Sequence, residues 1–155
     1  MSQVVIDAID RKILKYLITN ARMPFLEIAR KCGISGAAIH QRIKKLDESG
    51  VILGSRLVVD PKMLGFDVCA YIGIRLQDVS ILMQTVDRLK QIPEIVECHF
   101  ITGTYNLFVK LYCVDNEHLM TTLCDRILAI PGISTTQTYI SVSYTHLTLP
   151  TILRV

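Results

Sequence analysis

The sequence predicts an α+β chain in two parts: a small three-helix head that ends in a β-prone stretch, and a body with the element order β-α-β-β-α-β. Three observations predict it. Pro24 to Ile52 reads as a short helix, a tight turn and a longer helix stopped by Gly50. In the second half, the pattern Arg, apolar, two variable residues, Ile-Pro, one variable residue, Ile occurs at Arg88–Ile95 and again 38 residues later at Arg126–Ile133. Charge is also divided unevenly. Residues 1–60 hold ten Lys or Arg and six Asp or Glu, whereas residues 61–155 hold seven and eight.

In the head, Asp7 opens the first helix and Asp10 follows one turn in, where acids suit the positive end of the helix dipole. Ile9, Ile13, Tyr16 and Leu17 form its apolar face. Pro24 suits the first position of the second helix, where no N–H has to be satisfied. Ile28, Ala29 and Cys32 share a face, and Gly33 supplies the left-handed turn that ends it. Ser35 is the N-cap of the third helix, and Ile39, Ile43 and Leu46 repeat as one buried stripe.

Two helices joined by a short glycine-containing turn are a helix-turn-helix. Between Arg22 and Lys45 there are six basic residues and one acid, Glu27. Ser35, His40 and Gln41 lie exposed near the start of the third helix, where such helices meet base edges. From Ser35 to Ser49 that helix spans roughly 22 Å, enough to lie in a groove. An ordinary helical hairpin with a solvated basic face is the competing reading. Val51 to Val59 is expected to be a strand or small wing, which makes residues 1–60 a winged helix-turn-helix.

Asp60-Pro61 and Leu64-Gly65 mark a linker, residues 61–66. In residues 67–141, strands are expected at Val68–Leu76, Val96–Thr102, Tyr105–Val114 and Thr135–Ser141. Ser80 and Asn116 are expected to cap the two helices between them, with Leu89 and Ile127 among the inward residues. This is the ferredoxin-like βαββαβ plait. Leu107 to Val114 is largely apolar on both alternating faces. The helices of a plait cover one face of the sheet only, so the other face is expected to be covered by a second copy, in an obligate homodimer.

The chain has 155 residues, 50% of them hydrophobic, and a net charge of +3. No apolar run approaches the length of a membrane span. MSQVVIDAID has early acids and no basic lead, so it is not a signal peptide. Five cysteines without a CxxC pair, most of them in apolar surroundings, fit buried, reduced thiols and a cytoplasmic location. Neither a metal site nor a nucleophile–base pair nor a phosphate loop is legible. The reading is therefore not an enzyme, with no catalytic residue, no metal and no cofactor.

The segments IDAIDRKILKYLITNAR, LEIARKCGIS, RIKKLDESGVI, VDPKMLGF and ITGTYNLFVKL, in that order and spacing, resemble the Lrp/AsnC family of bacterial and archaeal transcription regulators. The resemblance implies a DNA-binding regulator whose assembly or DNA affinity responds to a small effector, usually an amino acid. It also implies a dimer that assembles further into tetramers or octamers. Carried over, Ser35, Gly36, Ala37, His40 and Gln41 lie near bases. Arg42, Lys44 and Lys45 hold phosphates, with Arg42 partly structural at a junction with the plait or wing. The family's effector loop corresponds to Gly103-Thr104-Tyr105-Asn106, with Asn106 standing where the family has an aspartate. A plain β-turn accounts for this loop equally well. Thr136 and Thr138 occupy family positions that approach the effector, and two β-branched residues in a strand account for them nearly as well.

Two heads on one dimer would engage half-sites of a pseudo-palindromic double-stranded DNA operator about one helical turn, roughly 34 Å, apart. Two alternatives share the architecture. One is a haem-precursor decarboxylase of the siroheme type, for which His99 and His118 are the candidate histidines. The other is an effector-binding protein without DNA binding. At the C-terminus, VSYTHLTLPT resembles the in-frame translation of a transposase adapter. Residues 142–155 are accordingly expected to be a non-native tail that packs poorly.

Overall fold

The computed structural model describes residues 5–143. The expectation for the tail therefore falls outside them beyond Ser143. The chain divides into two compact units that meet at Leu57 and Val58.

The first unit is three helices, α1 (Ala8–Thr19), α2 (Phe25–Cys32) and α3 (Gly36–Glu48). Asp7 and Asp10 cap α1 reciprocally. The Asp10 N–H donates to Asp7 Oδ1 at 2.8 Å, and the Asp7 N–H donates to Asp10 Oδ2 at 3.2 Å. Pro24 stands one position earlier than expected, as the residue before α2. Gly33, at φ 68°, turns the chain, and the Ile34 N–H closes on the Ala29 carbonyl at 3.0 Å. Ile13, Ile28, Ala29, Ile39 and Ile43 form the core of this unit, with Phe25, Cys32 and Ile34 packed against it.

The expected wing does not form. Residues 51–59 contain no strand, and Leu53 and Val58 are 95% and 91% exposed. The segment is β-prone, but a strand exists only when a neighbour satisfies its backbone groups. No second strand lies in the first unit among the described residues. Gly54, at φ 138°, further interrupts the run.

The second unit contains β1 (Val68–Leu76), α4 (Leu82–Leu89), β2 (Ile95–Phe100), β3 (Leu107–Cys113), α5 (Asn116–Thr121) and β4 (Ile133–Ser141). All strand pairs are antiparallel, in the order β2-β3-β1-β4. Alternate residues of β1 and β3, from Ala70 to Leu76 and from Leu107 to Cys113, face α4 and α5 and form the core. The repeated motif shows in burial. Leu89 and Ile127 are inaccessible, Ile92 and Ile130 nearly so, and Ile95 and Ile133 pack against the same core.

Neither Ser80 nor Asn116 is the cap; an aspartate upstream of each opens the helical segment, and α4 itself starts without a side-chain cap. Asp78 Oδ1 accepts from the Ser80 N–H at 2.8 Å and opens a short 3-10 turn before α4. Asp115 Oδ1 accepts from the His118 N–H at 2.7 Å and caps α5 in place of Asn116. A carboxylate makes the stronger, charge-assisted bond at the positive end of a helix. After α5 the chain widens into one π turn, Thr122–Ile127. The cysteines are less buried than expected. Only Cys113 is in the core, while Cys98 on edge strand β2 and Cys124 on the π turn are exposed.

Candidate nucleic-acid interface and effector loop

The stripe Ile39, Ile43 and Leu46 anchors α3 in the head, so the opposite side of the helix faces outward. Ala37, His40, Gln41 and Lys44 are exposed there. Ser35 is occupied, because its Oγ accepts the Ala38 N–H at 3.2 Å and caps the helix. Gly36 lies against α2, where a Cβ would stand 3.0 Å from Leu26 Cδ2. The imidazole of His40 meets the Phe25 ring edge-on, with centroids 5.4 Å apart and planes at 73°.

The three cations of α3 differ in availability. Arg42 Nη1 donates to Asp7 Oδ2 and to Asp10 Oδ1, each at 2.6 Å. Lys45 Nζ donates to the Val5 carbonyl at 3.0 Å and lies 3.8 Å from the fully buried Asp10. Lys44 makes only an exposed 3.7 Å pair with Glu48. The structural part of the Arg42 role thus has its partners inside the head, at the start of α1. The Asp10 N–H, followed by the Arg42 guanidinium, holds the Asp7 carboxyl below the usual carboxylate range. Arg42 itself is pushed up by Asp7 and then Asp10. Counting charge between Arg22 and Lys45 missed both acids, which lie more than thirty residues upstream of their partner. Arg22 and Arg30 are exposed and have no side-chain ion pair among the described residues.

The loop between β2 and β3 is the second candidate site. Asn106 ties it down through three bonds. Its Oδ1 accepts the Leu76 N–H at 2.8 Å, its N–H donates to the Ile74 carbonyl at 2.9 Å, and its carbonyl accepts the Ile101 N–H at 3.1 Å. The Oδ1 bond falls where the β1–β4 register slips, between Arg75 and Leu76. The amide oxygen thus does an acceptor's work that an aspartate oxygen would also do. Arg75 Nε donates to the Thr104 carbonyl at 3.0 Å. The Tyr105 ring lies flat over Gly73, and its hydroxyl donates to the Gln137 side chain. The hydrogen bond that Tyr139 donates to the Tyr105 hydroxyl, followed by burial, pushes the Tyr139 phenol up.

Gly103, Thr104, Tyr105 and Asn106 are thus gathered with Gly73, Arg75, Gln137 and Tyr139. Thr136 and Thr138 are not. They pair with Ile74 and Ile72, whose side chains point toward the helices, whereas Gln137 pairs with Gly73 on the opposite face. Strand parity is the signal that would have found Gln137. A glycine in a strand interior, where another group approaches closely, is the signal for Gly73.

On that same open face, Tyr71 stacks on Phe108 with centroids 6.0 Å apart, and Phe108 lies 6.3 Å from Tyr139. Lys110 crosses the row between the Tyr71 and Tyr112 rings, 3.5 Å from Glu97. The two histidines of the decarboxylase alternative are engaged elsewhere. His118 lies 3.0 Å from Glu94, which also receives Arg126 at 2.7 Å, and His99 lies 3.2 Å from Glu97. No helix among the described residues is long and apolar enough to cross a membrane.

A three-helix head with an outward-facing third helix, followed by a plait, defines a helix-turn-helix transcriptional regulator with a second, plait-type domain. Comparison with known proteins places it further. Residues 6–47 match the AsnC-type helix-turn-helix domain, and residues 69–146 match the Lrp/AsnC ligand binding domain. Regulatory protein AsnC of Haemophilus influenzae is 37% identical over 136 residues, 88% of this chain and 91% of that protein. The HTH-type transcriptional regulator FL11 of Pyrococcus horikoshii is 38% identical over 138 residues, 89% and 90% of the two chains. The solved structure of Escherichia coli AsnC matches with a TM-score of 0.88 at 34% identity, covering 95% of this chain and 99% of that one. A Neisseria meningitidis transcriptional regulator in complex with L-methionine shares the fold, with a TM-score of 0.89 at 19% identity over 97% and 100% of the chains. The chain belongs to the Lrp/AsnC family of transcriptional regulators.

Proposed function

We propose that this protein regulates transcription by placing α3 of two heads in successive major grooves of a pseudo-palindromic operator, and that a small effector at the Gly103–Asn106 loop biases its assembly or its DNA affinity. The observation that carries the DNA reading is the division of α3. One side is buried through Ile39, Ile43 and Leu46, and the other presents His40, Gln41 and Lys44. Phosphate contacts would supply most of the affinity, so binding weakens steeply with salt. A gel shift with the protein's own upstream DNA tests this, and no shift at low salt would reject it.

The dimer is formed through the open sheet face, where Tyr71, Phe108 and Tyr139 present a row of rings that α4 and α5 do not cover. Aromatic area of this kind is what a stable interface buries. Tetramers and octamers build on that dimer. The effector is an amino acid, a reading supported by the Neisseria meningitidis relative's complex with L-methionine. It acts only through unequal affinity for the two states it shifts. A thermal-shift screen of the twenty amino acids in which none raises the melting temperature would sink this part alone.

A further inference from the structure

Few groups on α3 are left to tell one DNA sequence from another. Ser35 Oγ is spent on the cap, and Gly36, Ala37 and Ala38 carry no polar side-chain atom. Arg42 and Lys45 are tied to the start of the chain, and Lys44 is a point charge suited to phosphate. In the first turns of α3, His40 and Gln41 remain, adjacent, exposed and without a side-chain hydrogen bond among the described residues; the acids Asp47 and Glu48 lie in the last turn. They are not equally ordered. Among the described residues no hydrogen bond fixes the Gln41 amide, whereas the Phe25 ring meets His40 edge-on at 5.4 Å. Phe25 is itself anchored, half-buried against the head's core as the first residue of α2. One side of that ring is core and the other is a wall for the imidazole.

A side chain held in its bound orientation loses less freedom on binding, and a fixed ring nitrogen offers its donor or acceptor in one direction. Each base pair presents a distinct donor and acceptor pattern in the major groove. We propose that Phe25 is a positioning residue for base readout: it holds His40 so that the imidazole enters the groove in one orientation, and His40, with Gln41 beside it, sets the preferred sequence of each half-site. This rests on the DNA-binding reading above. It assigns a role in specificity to a residue of α2 that touches no base.

The test is selection from a duplex library randomised over about 20 base pairs, two half-sites, using the full chain at low salt. The proteins compared are wild type, His40→Ala, Phe25→Leu, Phe25→Met and Phe25→Tyr, each with its fold checked by circular dichroism. His40→Ala and Phe25→Leu should lose preference at the same base pair of each half-site by about tenfold, as expected for one good base contact. Phe25→Tyr, which keeps the ring, should restore it. Affinity for a random duplex and its salt slope should not change, which a merely structural role for Phe25 would not predict. If Phe25→Leu does not fold, Phe25→Met decides. The inference is overturned if a folded ringless variant keeps the preference that His40→Ala loses. It is also overturned if that variant weakens binding to all sequences alike, or if His40→Ala alters no position. If wild type selects no sequence, the DNA-binding reading falls with it. If wild type selects and the variants do not differ, the inference about Phe25 and His40 falls and the DNA-binding reading stands.

Discussion

Gly73→Ala tests how the loop Gly103–Asn106 is seated. A Cβ at Gly73 would stand 2.6 Å from Tyr105 Cδ2 and 2.8 Å from both Cε2 and Cγ. Carbon atoms in contact sit about 3.5–4.0 Å apart, so the ring must retreat by roughly 1 Å. Overpacking of this kind costs about 1–3 kcal/mol. The ring is only half-buried and can swing outward, which places the cost near the lower end. Swinging outward breaks the hydrogen bond to Gln137, worth about 0.5–1.5 kcal/mol. Against this, alanine in a strand gains about 0.5–1 kcal/mol over glycine. The net expectation is a loss of about 1 kcal/mol, or a melting temperature about 4–8 °C lower for a unit of this size. A double-mutant cycle isolates the cause. In a Tyr105→Ala background, Gly73→Ala should cost nothing or stabilise slightly, giving a coupling energy of about 1–2 kcal/mol. Thermal or urea melts of the four proteins measure it. Equal effects of Gly73→Ala in both backgrounds would refute the seat.

Three further outcomes are expected. Arg42→Met should flatten the dependence of stability on pH below about pH 4. The Asp7 carboxyl is held low in the folded state, so its stabilisation is present above its unfolded pKa and is lost as pH falls through the folded one; removing Arg42 narrows that gap, and urea melts from pH 2 to 6 read it. Lys44→Ala should weaken binding to all DNA sequences and lower the salt slope by about 1, measured by fluorescence anisotropy against salt, with little change in melting temperature. Phe108→Glu should turn the proposed dimer into a monomer in light scattering, because it sets a charge amid the open aromatic row, while circular dichroism of the body stays native.

Elements that announce themselves locally were legible in the sequence. The stripe at Ile39, Ile43 and Leu46, the turn at Gly33 and the motif repeated at Arg88 and Arg126 need only spacing, and each stands where spacing put it. What depended on a distant partner was not legible. The wing failed because β propensity in residues 51–59 says nothing about whether a neighbour exists. A partly structural role for Arg42 was legible, but its partners were not, because Asp7 and Asp10 lie far upstream. Between β2 and β3, the turn Gly103–Asn106 was visible, but its neighbour Gln137 was hidden behind Thr136 and Thr138. Which of three consecutive strand residues faces the loop is decided by register against β1, and register is a property of the sheet.

The clamp between Arg42 and the opening of α1 has a consequence for how the head meets nucleic acid. Two of the three cations on α3 are kept at home, one by a pair of carboxylates and one by a backbone carbonyl and a buried acid. Every cation withheld from the phosphates removes one released counterion from the general attraction to any duplex. A weaker grip on random sequence leaves a larger share of the binding free energy to the few groups that tell one base from another. On the proposed DNA-binding reading, the Val5 carbonyl, Asp7 and Asp10 therefore tune the head toward discrimination rather than adhesion.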